Sequence, residues 1–251
     1  MIDPRLTVIN KRLKDVRNVI AVGSGKGGVG KSLIATSLAL VMARKGYSVG
    51  LMDLDFNCPS CHIILGIDLQ NIYPEEEKGV TPPQIYGTEF MSIAYYTKDE
   101  PMPLRGSGIS NAIIELFAIT RWSKLDFLFI DLPPGTSDEL LDILRLIEKQ
   151  KVIAITTPHI LSIKAVEKFM KIVNSMNREI IGIIENMSLS KTPMSVKLAK
   201  DFNTRILGVI PYIPTIENYI GSPVKLLSSD FAKYLAETAN RILDVLADQY
   251  V

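Results

Sequence analysis

The sequence has no apolar run long enough for a membrane-spanning helix. Its 251 residues are 47% hydrophobic, but this hydrophobicity comes in short runs such as NVIAVG, FLFID and KVIAIT. A spanning helix needs about 20 apolar residues in a row. The first segment, MIDPRLTVINKRLKDVRN, is charged throughout and has no apolar stretch before small residues, unlike a secretory signal. We therefore expect a cytoplasmic protein.

An excess of charge of one sign is also lacking. Lys and Arg number 28 against 27 Asp and Glu, so the formal net charge is +1. Such a chain produces no global field that attracts nucleic acid or anionic lipid. We expect neither a nucleic acid nor a membrane as partner.

Cysteine is scarce, and both cysteines, Cys58 and Cys61, lie in the stretch DLDFNCPSCHIILG. The spelling C-P-S-C-H is compatible with haem attachment, a redox pair or half of a metal site. Haem attachment needs export, which the first segment does not favour. In the cytoplasm a CxxC is more often a metal or redox device than a structural bridge. The simplest alternative is that both thiols pack as small apolar residues under a helix.

The sequence does contain a regular alternation of strands and helices. Unbroken apolar strands of this kind are buried on both faces of a parallel sheet. We predict an α/β fold with a mostly parallel central sheet, helices on both faces, and one domain over residues 1–251. The predicted strands are Val19–Gly23, Ser48–Asp53, Glu89–Tyr95, Asp126–Asp131, Lys151–Thr157, Glu179–Glu185 and Arg205–Ile210. The predicted helices are Ser32–Lys45, Ile109–Thr120, Ser137–Lys149, Ser162–Met176, Val196–Phe202 and Asp230–Gln249. Residues 67–88 are predicted to be an exposed connection.

The segment GSGKGGVGKS, residues 23–32, follows a predicted strand and opens a predicted helix. It contains the phosphate-loop pattern G-x-x-x-x-G-K-S, in which backbone N–H groups surround phosphate oxygens at a helix N-terminus. We expect Lys31 to neutralise the outer phosphates and the Ser32 hydroxyl to help hold Mg²⁺. The predicted nucleotide-binding residues of the loop are Gly25, Lys26, Gly27, Gly28, Val29, Gly30, Lys31 and Ser32.

Lys26 is a second lysine in this loop. A side chain at this position does not easily fold back onto its own phosphates, but across a two-fold axis it can reach the nucleotide of another subunit. Lys26 therefore predicts a homodimer as the active unit.

Carboxylates follow two predicted strands. Asp131 ends one strand and precedes L-P-P-G, which suits it to hold Mg²⁺ through water while the Gly135 N–H approaches the γ-phosphate. Asp53 and Asp55 end another strand, and residues two apart on a strand point to the same side. Both carboxylates are therefore expected to face the phosphates.

The loop GKGGVGKS resembles the deviant Walker A loop of the MinD/ParA superfamily. The stretches DLPPGTSDE, TTPH, GIIENMS and LGVIP resemble the Mrp/Nbp-type iron–sulfur carriers more closely. The resemblance implies a slow, Mg²⁺-dependent ATPase that binds ATP between two subunits, with Lys26 reaching across and with Lys26, Lys31 and Asp55 as catalytic residues. It also implies that Asp53 holds Mg²⁺ through water, that Asp55 positions the attacking water, and that Asn186 reads adenine beside Pro211.

One segment departs from this resemblance. In Mrp/Nbp carriers a C-P-x-C follows ENMS, and two such pairs hold a bridging cluster across the dimer. Here Thr192 and Ser195 occupy those positions, and hydroxyls do not replace thiolates on iron–sulfur clusters. The chain instead has Cys58 where the family has a glycine, with Cys61 three residues on. Four thiolates per dimer would suit a bridging cluster or a zinc ion.

Three functions remain open at this level. The first is an ATPase that assists iron–sulfur cluster assembly or transfer, either as a carrier using Cys58 and Cys61 or beside a true carrier, with an unknown apo-protein client. The second is a MinD- or ParA-like positioning ATPase, and the third is a nickel-insertion ATPase. The closing helix is more acidic than basic, so we expect its apolar side to dock onto the sheet rather than onto lipid. The apolar residues of that side are Phe231, Leu235, Ile242, Val245 and Leu246.

Overall fold

The computed structural model of the chain describes residues 4–98, 100, 106–190 and 192–248. The strands are β1 Val16–Ser24, β2 Val49–Asp53, β3 Glu75–Glu76, β4 Val80–Thr81, β5 Gln84–Ile85, β6 Thr88–Ser92, β7 Leu125–Asp131, β8 Gln150–Thr156, β9 Glu179–Ser188 and β10 Ile206–Pro211. The α-helices are α1 Pro4–Arg12, α2 Lys31–Arg44, α3 Cys61–Leu65, α4 Ala94–Thr97, α5 Ser107–Ile119, α6 Asp138–Leu146, α7 Ile160–Ser175, α8 Val196–Asp201, α9 Pro223–Leu227 and α10 Asp230–Ala247. A 3₁₀ helix spans Pro214–Tyr219.

The central sheet has eight strands in the order β10-β9-β8-β1-β7-β2-β6-β5. All neighbouring pairs are parallel except the edge pair β5–β6, which is antiparallel. The predicted α/β fold with a mostly parallel sheet is confirmed. Because carboxyl ends of parallel strands meet at one edge, the segments after β1, β2 and β7 lie together, and this is where such sheets bind ligands.

Helices cover the sheet on both faces, as predicted. Helix α2 packs on β1, β2 and β7, whereas α7 packs on β1, β8 and β9. Helix α10 packs on β10 and α2, and its apolar residues Phe231, Leu235 and Ile242 are buried. The expectation that this helix docks onto the body of the protein is confirmed. No helix in the described residues has the length and apolarity that crossing a membrane requires.

Several elements differ from the prediction. The strand predicted over Glu89–Tyr95 ends at Ser92, because the Ser92 hydroxyl accepts a hydrogen bond from the Ala94 N–H at 3.1 Å and a helical turn follows. Residues 67–88 are not simply an exposed connection: they form β3, β4 and β5, and Val80 and Ile85 among them are buried. Helices α1, α3, α4 and α9 were not predicted. The C-terminal residue of the last predicted helix, Gln249, lies outside the described residues.

Candidate functional site

The phosphate loop connects β1, which ends at Ser24, with α2, which begins at Lys31. Gly28 and Gly30 have φ angles of 77° and 82°, the left-handed region that favours glycine. Gly25 is required for a different reason, because a Cβ there would lie 2.0 Å from the Ala165 carbonyl carbon of α7. The glycine pattern of the loop therefore reflects both its backbone turns and its close packing against α7.

Lys31 joins this loop to the end of β7. Its Nζ lies 2.7 Å from Asp131 Oδ1 and donates to the Ser32 hydroxyl at 3.2 Å. Only 6% of the Lys31 side chain and none of the Asp131 side chain is exposed. Burial by itself lowers the pKa of Lys31, but the contact with the Asp131 carboxylate and the nearby negative charge of Asp53 together raise it above its usual value. The ammonium group is therefore held in its charged form.

Asp53 lies opposite Asp131 on neighbouring strands and is fully buried. Its Oδ2 accepts hydrogen bonds from the Ser60 and Cys61 N–H groups at 3.0 Å, and its Oδ1 accepts one from the Asp55 N–H at 3.1 Å. Burial, and then the charge of Asp131, raise the pKa of Asp53 to about 7. Two buried carboxylates face a single ammonium group here, and this excess of oxygen ligands and negative charge fits a hard divalent cation such as Mg²⁺.

Asp55 is placed by a turn and not by strand alternation, because β2 ends at Asp53. Its Oδ1 accepts a hydrogen bond from the Cys58 N–H at 3.1 Å. The side chain is largely buried, and burial raises its pKa. Asp53 and Asp55 therefore each organise part of the segment that follows β2.

Gly135 lies beside the start of the phosphate loop. Its N–H donates a hydrogen bond to the Ser24 carbonyl oxygen at 3.0 Å, and its φ of 84° is in the left-handed region. The predicted approach of this N–H to a γ-phosphate therefore requires that the bond to Ser24 is given up.

Asn186 and Pro211 lie near each other, as the resemblance implies, and their contact with adenine stays a prediction. They line a small cavity of about 40 Å³ together with Leu33, Met187, Tyr212, Ile213, Ile216 and Phe231. Asn186 also donates from Nδ2 to the Val29 carbonyl oxygen at 2.9 Å, which ties the end of β9 to the phosphate loop. The sequence analysis did not predict the apolar side chains of this cavity, although Tyr212 directly follows Pro211.

The two cysteines have different surroundings. Cys58 is exposed, whereas Cys61 is fully buried at the start of α3. The Cys61 thiol donates to Asp131 Oδ2 at 3.6 Å. Burial, followed by the charges of Asp53 and Asp131, raises the pKa of Cys61 well above its usual value. The pair therefore does not present two thiols together at the surface.

The positions where Mrp/Nbp carriers have cysteines contain two differently placed hydroxyls. Thr192 is exposed. Ser195 is fully buried, and both its N–H and its hydroxyl donate to Glu185 Oε2 at 2.9 Å. Glu185 was not singled out in the sequence, because only its burial in the folded chain distinguishes it from a surface carboxylate.

Lys26 is an exposed residue of the phosphate loop. Its ammonium group has no ion pair or hydrogen bond within the part of the chain that the structure describes, and the Lys26 carbonyl oxygen accepts a hydrogen bond from the Ser24 hydroxyl at 2.9 Å. The backbone at Lys26 is thus held by Ser24, while its side chain is exposed to solvent.

Comparison with known proteins identifies similar sequences and structures. Residues 15–247 match a family described as "ParA: NUBPL iron-transfer P-loop NTPase". The chain is 32% identical to an iron–sulfur cluster carrier protein of Aquifex aeolicus over 88% of this chain and 65% of that protein. It is 31% identical to one from Saccharolobus solfataricus over 95% and 87% of the two chains. The chain thus spans slightly less than two thirds of the Aquifex relative.

Two solved structures have a similar fold. A nucleotide-binding protein from Archaeoglobus fulgidus, solved with ADP and with cobalt detected, has a TM-score of 0.77 and 27% identity, covering 91% of this chain and 95% of that one. The septum site-determining protein MinD of Pyrococcus horikoshii, solved with Mg-ADP, has a TM-score of 0.69 over 93% and 98% of the two chains. Its 21% identity supports likeness of fold alone.

Proposed function

The chain belongs to the NUBPL iron-transfer P-loop NTPase family, and on this premise we propose that it is a dimeric, slowly hydrolysing ATPase that assists iron–sulfur cluster assembly or transfer. The observation that carries the proposal is the buried contact between Lys31 and Asp131 at 2.7 Å. It brings the phosphate loop, the end of β7 and the neighbouring Asp53 to one site. One buried hydrophobic cluster includes residues from Ile9 to Leu246, which supports a single ATPase domain.

The proposed reaction uses the residues at this edge of the sheet. Lys31 and the loop N–H groups bind the phosphates, and Asn186 and Pro211 lie against the base. Ser32, Asp53 and Asp131 would hold Mg²⁺, which neutralises developing charge on the phosphates when bound. Asp55 orients the attacking water through its carboxylate. The burial of Asp53 and Asp55 supports these roles, because carboxylates fixed by backbone N–H groups need little reorganisation during reaction.

The proposed role in iron–sulfur cluster assembly is inferred from the similar proteins, which are named iron–sulfur cluster carrier proteins. Thr192 and Ser195 offer no thiolate, and Cys61 is buried whereas Cys58 is exposed. We therefore propose that this chain uses ATP to assist a separate carrier or its apo-protein client.

The experiment measures ATP hydrolysis and cluster transfer from a loaded carrier protein to an apo-protein that requires a cluster. Wild type should hydrolyse ATP slowly and accelerate transfer, and Lys31→Ala should do neither. Iron and sulfide reconstitution of the chain alone, with counting of bound iron, tests whether it holds a cluster itself. Hydrolysis without any effect on transfer would instead favour the MinD- or ParA-like alternative.

The position of α10 argues against the MinD-like form of that alternative, in which a helix binds lipid. A lipid-binding tail needs an apolar helix face available to the membrane, and here the apolar residues of α10 are buried against β10 and α2. Vesicle flotation with ATP should therefore be negative. The near-neutral formal charge of +1 predicts that a DNA-binding assay is negative too.

A further inference from the structure

Cys61 lies inside the carboxylate cluster of the candidate nucleotide site. The ligand atoms of Asp53, Cys61 and Asp131 all lie within 4.8 Å of one another. All three side chains are fully buried. The thiol is already directed at Asp131 Oδ2, at 3.6 Å. The sulfur is thus positioned as a third potential ligand beside two oxygens.

The backbone fixes this position of the thiol. Cys61 is the first residue of α3, and its N–H donates to Asp53 Oδ2 at 3.0 Å. The preceding Ser60 N–H donates to the same oxygen at 3.0 Å. One carboxylate of the cluster therefore holds the residue that supplies the sulfur. Cys58 lies outside this arrangement and is exposed.

A buried hydroxyl provides a second, independent observation. Thr36 on α2 is fully buried, and its Oγ1 lies beside the Cys61 thiol without making a hydrogen bond of good geometry among the described residues. A buried polar group without a partner is costly and calls for an explanation. Cation binding converts the thiol to a thiolate, which accepts a hydrogen bond from this hydroxyl more strongly than a thiol does.

We propose that Asp53, Asp131 and Cys61 form a mixed oxygen–sulfur site for a thiophilic divalent cation, of the class of Zn²⁺, Co²⁺ or Fe²⁺. Hard cations prefer oxygen alone, whereas a thiolate ligand shifts preference to softer ions. Binding forms a metal–sulfur bond and breaks the S–H bond, and the proton is released to solvent. Asp131 Oδ2, which faces the thiol, supplies the ligand oxygen, while Asp131 Oδ1 keeps its contact with Lys31. This inference goes beyond the proposed ATPase, since protein side chains hold the ion without nucleotide. The site shares Asp53 and Asp131 with the proposed Mg²⁺ site, so the two cations compete for the same carboxylates.

The test uses Co²⁺ as a spectroscopic probe, with reduced protein, no nucleotide and no oxygen. A bound thiolate gives a sulfur-to-cobalt charge-transfer band in the near ultraviolet, which carboxylate ligands do not give. The chain has only two cysteines, so Cys58→Ser leaves Cys61 as its sole thiol. We expect one Co²⁺ per chain and the band in both wild type and Cys58→Ser.

Cys61→Ser should lose the band and bind Co²⁺ at least about tenfold more weakly. A band that is absent from wild type, or that disappears in Cys58→Ser, overturns the proposal. The Cys58→Ser result stands even if Cys61→Ser does not fold. ATP binding with Mg²⁺, measured separately, distinguishes a failure of this proposal from a failure of the proposed ATPase.

Discussion

At the residue scale, a single buried ion pair connects the phosphate loop to the sheet. Lys31 Nζ and Asp131 Oδ1 are 2.7 Å apart and almost wholly removed from solvent. A buried pair contributes little net stability compared with apolar groups, but removing one partner leaves the other charge uncompensated. The same contact therefore matters both for binding phosphates and for stability.

Lys31→Ala should abolish ATP binding, because the loop loses the charge that neutralises the outer phosphates. It should also lower the free energy of unfolding by about 3 kcal/mol, because Asp131 is left buried without its partner. Isothermal titration calorimetry and urea unfolding measure the two effects. Lys26→Ala is the matched control for stability, because Lys26 is exposed and its loss should change unfolding by less than about 0.5 kcal/mol. ATP binding by folded Lys31→Ala at wild-type affinity would contradict the assignment.

At the scale of elements, the phosphate loop depends on its contact with α7. A Cβ on Gly25 would lie 2.0 Å from the Ala165 carbonyl carbon and 2.4 Å from the Val166 nitrogen. These are backbone atoms of a helix, which cannot move aside as a flexible side chain can. The loop and α7 must therefore separate if position 25 carries a side chain.

Gly25→Ala should destabilise the protein by roughly 1–3 kcal/mol, the usual cost of overpacking, and should weaken ATP binding. Gly27→Ala is the control within the same loop, because a Cβ on Gly27 meets nothing within 4 Å. Thermal unfolding of both variants checks the expectation. Equal melting temperatures for the two would show that the approach of α7 does not constrain the loop.

The connection from β9 to α8 depends on a buried carboxylate. Glu185 accepts hydrogen bonds from the Ser195 N–H and hydroxyl and from the Ser188 hydroxyl. It directly precedes Asn186, so it fixes the segment that lines the small cavity beside Pro211. Ser195 is therefore a structural anchor of this connection.

Glu185→Ala should lower the free energy of unfolding by about 1–3 kcal/mol, because the buried Ser195 N–H loses its acceptor. Thr192→Ala, at the exposed hydroxyl of the same segment, should have almost no effect. Urea midpoints of the two variants provide the comparison. An unchanged midpoint for Glu185→Ala would show that the segment is held by other contacts.

At the scale of the whole molecule, the expected assembly depends on Lys26. Its side chain is exposed beside the phosphate loop, where it is available to a second subunit. Lys26→Ala should leave ATP binding largely intact, but it should stop both hydrolysis and ATP-induced dimer formation. Light scattering with and without ATP, together with phosphate release, measures these outcomes. Normal ATP hydrolysis by Lys26→Ala would disprove the expected contact of Lys26 with the nucleotide of the second subunit.

The sequence by itself determined the parallel sheet, the phosphate loop and the docking of α10. These features have local signals: buried strands are continuous apolar runs, the loop has fixed spacing, and an amphipathic helix shows its periodicity. The strand over Glu89–Tyr95 was predicted too long because its end depends on a single hydroxyl, that of Ser92.

Only the tertiary structure decided what surrounds the cysteines and Glu185. Cys58 and Cys61 are close in sequence and look equivalent there, yet one is exposed and the other lies against Asp131, which is 70 residues away along the chain. Glu185 likewise becomes distinctive only when Ser195 folds back onto it. Burial and contacts between distant segments depend on how the elements pack, which local spacing does not specify.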